Sequence, residues 1–160
     1  LLSTGKFEHD YFSPTKKFRI NNLRLDSGCK IVFWDMPGQQ VYRDDWLRGA
    51  QASNILLFVL DSADQSRFQE AKQEFWRMVE MYELQSLPVV FIANKIDLLE
   101  KTLVKDKIRT YFELSSLSQN FIILKTSLPE RIGIKKLLNW FNRETEQLML
   151  ANGVTPVKKN

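Results

Sequence analysis

The fold is decided by residues 88–97, which read PVVFIANKID. The first six residues form a continuous apolar run, a pattern that predicts a β-strand covered on both faces. A polar loop, Asn94-Lys95-Ile96-Asp97, follows the run at once. In α/β proteins, ligands bind in loops at the carboxyl ends of parallel strands. The stretch therefore predicts a buried strand with a binding loop at its end.

Strand-like and helix-like segments alternate on both sides of this stretch. Further apolar runs occupy residues 55–60 and 121–124, and helical spacing of apolar residues occupies residues 66–83, 103–114 and 132–149. This alternation predicts an α/β fold with a mostly parallel sheet and helices on both faces.

The N-terminal part predicts a β-hairpin. Two strand-like stretches, residues 16–25 and 30–35, flank a turn that contains Asp and Gly. Imperfect alternation of apolar residues in the first stretch predicts a bulge near Asn21-Asn22.

Composition indicates one globular domain. We expect it to span residues 1–150, with a flexible tail over residues 151–160. The single cysteine, Cys29, favours a reducing, cytoplasmic compartment. The net charge of +4 could favour anionic membranes or nucleic acid, but basic and acidic residues are interleaved. A solvated surface is therefore the simpler interpretation, and we expect no nucleic-acid partner.

The loop after the deciding strand suits guanine. The Asp97 carboxylate can accept two hydrogen bonds, from guanine N1 and from the exocyclic amine, which adenine cannot reproduce. Asn94 can tie loops together and face N7, while the aliphatic stem of Lys95 can lie across the ring. An ordinary polar loop is the alternative interpretation of these four residues.

A second motif, DMPGQ at residues 35–39, also begins where a strand ends. Asp35 would bind Mg²⁺ directly or through water, and the Gly38 amide can approach a γ-phosphate because no side chain intervenes. Gln39 would orient the attacking water in GTP hydrolysis. Alone, the pentapeptide could be a simple turn after a strand.

Together these residues resemble a known family. The strings FWDMPGQQ at residues 33–40, VLDS at 59–62 and FIANKIDL at 91–98, with Arg43 and Trp46, are similar to the ADP-ribosylation factor and Arf-like small GTPases. The resemblance implies a P-loop NTPase-like G domain and a GTP-binding switch. It further implies that the protein binds and hydrolyses GTP with Mg²⁺ and recruits effectors in intracellular trafficking or signalling.

The resemblance also assigns residues that spacing alone does not reveal. It implies that Thr15 ligates Mg²⁺ and senses the γ-phosphate, and that Phe18 and Trp34 engage effectors, with a core role as the alternative for both aromatic residues. It places a backbone N–H that faces the guanine oxygen at Ser127-Leu128, with Thr126 as the alternative.

Partners and location follow from the same resemblance. We expect an exchange factor, a GTPase-activating protein and effectors at the switch and interswitch surface, and a cytoplasmic protein that can lie peripherally on a membrane surface. The alternative function is a non-catalytic Arf-like scaffold that has lost phosphate binding.

One expected motif is missing. The sequence contains no GxxxxGK[ST], whose backbone amides cradle phosphates. In the family, the strand that precedes this loop lies between the strand ending at Trp34 and the one starting near Ile55. We therefore expect an N-terminally truncated chain, or one whose central slot is filled by another polypeptide. GTPase activity would then need the loop from the full-length protein.

Overall fold

The computed structural model describes residues 15–81, 84–99 and 105–154. Strands and helices alternate along the described chain, as the sequence predicts. The strands are β1 (Arg19–Arg24), β2 (Lys30–Asp35), β3 (Leu56–Asp61), β4 (Val89–Asn94) and β5 (Phe121–Lys125). The α-helices are α1 (Trp46–Gln51), α2 (Phe68–Met81), α3 (Lys105–Tyr111) and α4 (Ile134–Ala151).

Two compact units make up the chain. Leu1–Trp46 and Ile134–Asn160 form the first unit, and Leu47–Gly133 form the second. Helix α4 extends to Ala151, one residue into the predicted tail. The last part of that tail, residues 155–160, lies outside the described residues.

The second unit contains a three-stranded parallel sheet in the order β3-β4-β5. The register pairs Phe58 with Phe91 and Phe91 with Ile123, and it continues to the strand ends without interruption. Strand β4 is central, which explains why each of its residues from Val89 to Ala93 is buried. The sheet therefore brings the carboxyl ends of its three strands to one edge.

Aromatic side chains fill the space between this sheet and its helices. Phe91 is completely buried, and its ring centroid lies 5.2 Å from Phe58, 5.6 Å from Phe75 of α2 and 4.8 Å from Phe112 after α3. Burial of one such side chain contributes roughly 1.5–3 kcal/mol. This cluster anchors the strand that carries the polar loop.

Strand β3 departs from its sequence prediction. Its apolar run predicts coverage on both faces, but the Val59 side chain is 59% exposed. Among the described strands β3 pairs only with β4, so it lies at an edge of its sheet. The prediction was wrong for Val59, because an apolar run does not show which of its side chains face solvent.

The first unit contains the antiparallel β1-β2 hairpin. Its turn is closed by hydrogen bonds from Leu25 N to Cys29 O (2.8 Å) and from Gly28 N to Leu25 O (2.9 Å), with Gly28 at φ +81°. The predicted bulge at Asn21-Asn22 is wrong, because the two residues pair one-to-one with the opposite strand. Both asparagines are exposed, so no apolar pattern requires an extra residue there.

Helix α4 packs against this hairpin. The Phe33 ring of β2 meets the Phe141 ring edge-on, with centroids 5.6 Å apart. Leu137, Trp140 and Phe141 form the buried stripe of the helix. No helix in the described ranges is long and apolar enough to cross a membrane.

Candidate functional site

Polar loops follow all three strands of the parallel sheet at the same edge. The register pairs Asp61 with Asn94, and Ala93 with Lys125. Residues 94–97 and residues 126–133, the loops after β4 and β5, therefore lie side by side. We call these two segments the guanine-side loops.

Asn94 joins the guanine-side loops. Thr126 is 2% exposed, and its Oγ1 donates a hydrogen bond of 2.9 Å to Asn94 Oδ1. The Ser62 amide donates to the Asn94 carbonyl at 2.9 Å. Because Oδ1 accepts from Thr126, the amide nitrogen of Asn94 remains the donor of its side chain. Asn94 can thus tie the loops and still offer an N–H to a base.

Lys95 is held in an unusual conformation. It has φ 62° and ψ 36°, in the left-handed region. Its Nζ lies 2.7 Å from Asp61 Oδ2, and Asp61 Oδ1 accepts from the Ala63 amide at 3.0 Å. In the sequence, Asp61 stands out only as part of the VLDS string at residues 59–62. Its ion pair with Lys95 joins residues 34 positions apart, which no local pattern predicts.

One carboxylate oxygen of Asp97 accepts no hydrogen bond from the described residues. Its Oδ1 is buried and has no hydrogen-bond partner in the described part of the protein. The neighbouring Ile96 amide donates to Thr126 O at 3.2 Å, which anchors this end of the loop. A buried carboxylate oxygen without a donor costs free energy. The N1–H and exocyclic amine of guanine are donors of the type that this carboxylate lacks, so a guanine base fits the residues present.

The β5–α4 loop supplies a complementary donor. Ser127 is fully buried; its amide donates to Ile132 O at 3.2 Å, and its Oγ accepts from the Glu130 amide at 3.3 Å. Within the described ranges the Leu128 amide donates to no acceptor. Of the two placements that the sequence left open, Thr126 supports Asn94, whereas Leu128 has an N–H available for a carbonyl oxygen.

The remaining predicted residues belong to the first unit, and we call Thr15, Asp35, Gly38 and Gln39 the switch-side residues. Asp35 is exposed and ends β2, opposite Arg19 in register. Thr15 is half-buried and precedes β1. Carboxylate and hydroxyl oxygens suit Mg²⁺. No group of three or more His, Cys, Asp or Glu residues that could hold a metal occurs in the described part of the chain.

Two side chains missed as functional candidates hold the backbone beside Gln39. Trp46 Nε1 donates to Pro37 O at 2.9 Å, and Arg43 Nε donates to Gly38 O at 3.2 Å. Arg43 is 6% exposed, and its guanidinium lies 5.9 Å from the centre of the Trp46 ring. In the sequence, Arg43 and Trp46 are recognisable only through the family resemblance, because their hydrogen bonds and the burial of Arg43 are visible only in the folded chain.

Gly38 and Gln39 are exposed. A Cβ atom on Gly38 would meet nothing within 4 Å, so packing does not demand glycine there. The role of the Gly38 amide toward a γ-phosphate stays a prediction from the sequence.

Comparison with known proteins gives consistent results. Residues 2–145 match the model of the ADP-ribosylation factor family. The chain is 28% identical to ADP-ribosylation factor-like protein 3 of Chlamydomonas reinhardtii over 135 residues, which cover 84% of this chain and 75% of that protein. It is 37% identical to ADP-ribosylation factor-like protein 4A of Homo sapiens over 89 residues, which cover 53% of this chain and 44% of that protein.

A solved structure shows the same fold. It is the small GTPase Arl6 BBS3 from Trypanosoma brucei with the bound nucleotide analogue GppNp, which superposes with a TM-score of 0.75 at 18% identity. The match covers 88% of this chain and 86% of that one. The fold is therefore that of a P-loop small GTPase. Since the family model spans nearly the whole sequence, the chain belongs to the ADP-ribosylation factor family, whose members are GTP-binding switches.

Proposed function

We propose that this protein is a molecular switch that binds GTP and GDP and hydrolyses GTP. The observation that carries the proposal is the buried, unpartnered Oδ1 of Asp97 at the end of the central strand. A guanine base would supply donors to Asp97, and the Leu128 N–H would donate to the guanine O6. Asn94 would donate to N7, while Thr126 holds its amide in place.

Switch-side residues would act on the phosphate end. Thr15 and Asp35 would bind Mg²⁺, which supplies charge neutralisation at the phosphate oxygens when bound. Gln39 would orient the attacking water, with Trp46 and Arg43 holding the preceding carbonyls. The 160 residues contain no GxxxxGK[ST] loop, so we propose hydrolysis for a protein that also supplies one. Rapid hydrolysis would need a GTPase-activating protein, because no arginine finger is evident in the sequence.

Partner binding is proposed for the hairpin. Phe18 is 43% exposed and stacks on Trp34, with ring centroids 5.7 Å apart and an interplanar angle of 20°. Exposed aromatic side chains are common anchors of protein interfaces. They support the proposal that effectors bind this surface. The single cysteine supports a cytoplasmic location, and membership of the family supports a peripheral position at membranes.

Nucleotide content tests the proposal. Full-length protein, purified without added nucleotide, is denatured and its supernatant analysed by anion-exchange chromatography. We expect GDP or GTP at a stoichiometric level. Protein that retains no guanine nucleotide, and takes up none when GDP is added with Mg²⁺, would support the non-catalytic scaffold instead.

A further inference from the structure

The two ends of the β5–α4 loop pair with each other. Ser127 and Ile132 form an antiparallel bridge, so the chain leaves β5 and returns beside it. The next residue is Gly133, the last before α4. The return of the chain places this glycine against the end of β5.

Gly133 has no room for a side chain. Its φ is +78°, and a Cβ atom would lie 2.3 Å from Lys125 O and 2.9 Å from Thr126 Cγ2. The nearer atom belongs to the backbone, which cannot rotate away as a side chain can. A larger residue would therefore push the end of β5, and Thr126 with it.

Thr126 carries this displacement to the base-recognition residues. Its amide donates to Ala93 O at 2.8 Å, its carbonyl accepts from Ile96 N at 3.2 Å, and its hydroxyl donates to Asn94 Oδ1 at 2.9 Å. These three bonds connect Thr126 to both ends of the loop that presents Asp97. A shift of Thr126 would alter the alignment of Asn94 and Asp97 together.

We propose that Gly133 is a positioning residue for guanine selectivity, acting through Thr126. The inference rests on the proposed function. Gly133 lets the β5–α4 loop close tightly enough for Thr126 to hold Asn94 and the loop that presents Asp97. No sequence pattern identifies this role, because the contact depends on the returning loop.

Selectivity between GDP and inosine diphosphate tests the proposal in full-length protein. Hypoxanthine keeps O6 and N1–H but lacks the amine that Asp97 would accept from, so the unchanged protein should prefer GDP. Gly133→Ala should reduce the ratio of the inosine diphosphate and GDP dissociation constants about fivefold to tenfold, because Asp97 would no longer align with the amine. Competition binding gives both dissociation constants.

Gly153→Ala is the matched control. Gly153 has nearly the same backbone conformation, φ +73°, but a Cβ atom there meets nothing within 4 Å. Gly153→Ala therefore introduces the same backbone strain as Gly133→Ala but no collision with neighbouring atoms. This variant should keep the GDP preference. A Gly133→Ala protein that is less stable yet keeps the full preference would overturn the positioning role.

Thr126 variants decide the matter if Gly133→Ala does not fold. Thr126→Val removes the hydroxyl at nearly constant shape and should narrow the GDP preference, whereas Thr126→Ser should retain it. An unchanged preference in Thr126→Val would overturn the inference. Failure of the proposed function looks different, because the unchanged protein would then show no preference for GDP.

Discussion

The guanine-side loops and the switch-side residues differ in burial and in the number of hydrogen bonds that fix them. Thr126 and Ser127 are 2% and 0% exposed and lie within a network of hydrogen bonds, whereas Asp35 and Gln39 are exposed. The difference indicates that Thr126 and Ser127, which support the residues proposed to recognise the base, belong to the folded core. Gln39 is exposed, and Trp46 and Arg43 hold the backbone before it. Substitutions beneath the guanine-side loops should therefore change stability and nucleotide affinity together, and substitution of Gln39 should change hydrolysis alone.

The largest effect is expected at the core beneath the guanine-side loops. Phe91→Ala should lower the free energy of unfolding by about 3–5 kcal/mol, because it leaves a cavity among three other aromatic rings. The register of β4 should loosen, so GDP affinity should fall as well. Urea denaturation and GDP titration measure the two quantities in the same protein.

Phe18→Ala is the control from the hairpin. Phe18 is 43% exposed, and its loss should change the free energy of unfolding by about 0.5 kcal/mol or less. If Phe18→Ala and Phe91→Ala lowered the free energy of unfolding equally, the difference between the two regions would be contradicted. Phe18 would then be a core residue rather than a contact for effectors.

A smaller effect, confined to the reaction, is expected at Gln39. Gln39→Leu should slow GTP hydrolysis about a hundredfold, the order of loss expected when a reacting group is no longer held in position. GDP affinity should stay within about twofold, because the side chain is exposed and is proposed to act on the attacking water rather than on the nucleotide. Single-turnover hydrolysis measures the rate. Affinity that falls as steeply as the rate would show that Gln39 supports binding.

The smallest effect is expected from a comparison of two similar hydrogen bonds, each donated by a tryptophan side chain. Trp46 Nε1 donates to Pro37 O and Trp76 Nε1 donates to Phe112 O, both at 2.9 Å. Replacing either by Phe should lower the free energy of unfolding by about 0.5–1.5 kcal/mol. Only Trp46→Phe should also slow hydrolysis, about threefold to tenfold, because it releases the backbone before Gln39. If Trp76→Phe slowed GTP hydrolysis as much as Trp46→Phe does, the proposal that Trp46 positions the backbone before Gln39 would be contradicted.

The elements of the fold could be predicted because apolar runs and helical spacing are local signals. Strand β4 matched its prediction closely, since a central strand is buried along its length. Exposure of Val59 and the absence of a bulge at Asn21-Asn22 could not be predicted, because both depend on which strands pair.

Short sequence motifs were enough to name Asp97 and Gln39 as candidate site residues, and their roles stay predictions. The supporting contacts could not be predicted. The ion pair of Lys95 with Asp61 and the collision that excludes a side chain at Gly133 join residues distant in sequence or on a returning loop. Such contacts exist only after the sheet has brought strand ends together.

Guanine recognition by Asp97 is tested most directly by replacing its acceptor with a donor. Asp97→Asn presents an amide N–H toward the position that the guanine amine would occupy, where xanthine has a carbonyl oxygen. Dissociation constants for GDP and xanthosine diphosphate are measured in the full-length protein and in the variant. We expect GDP affinity to fall about a hundredfold or more and the preference to invert toward xanthosine diphosphate. An unchanged preference for GDP in Asp97→Asn would contradict the assignment of Asp97 to the guanine base.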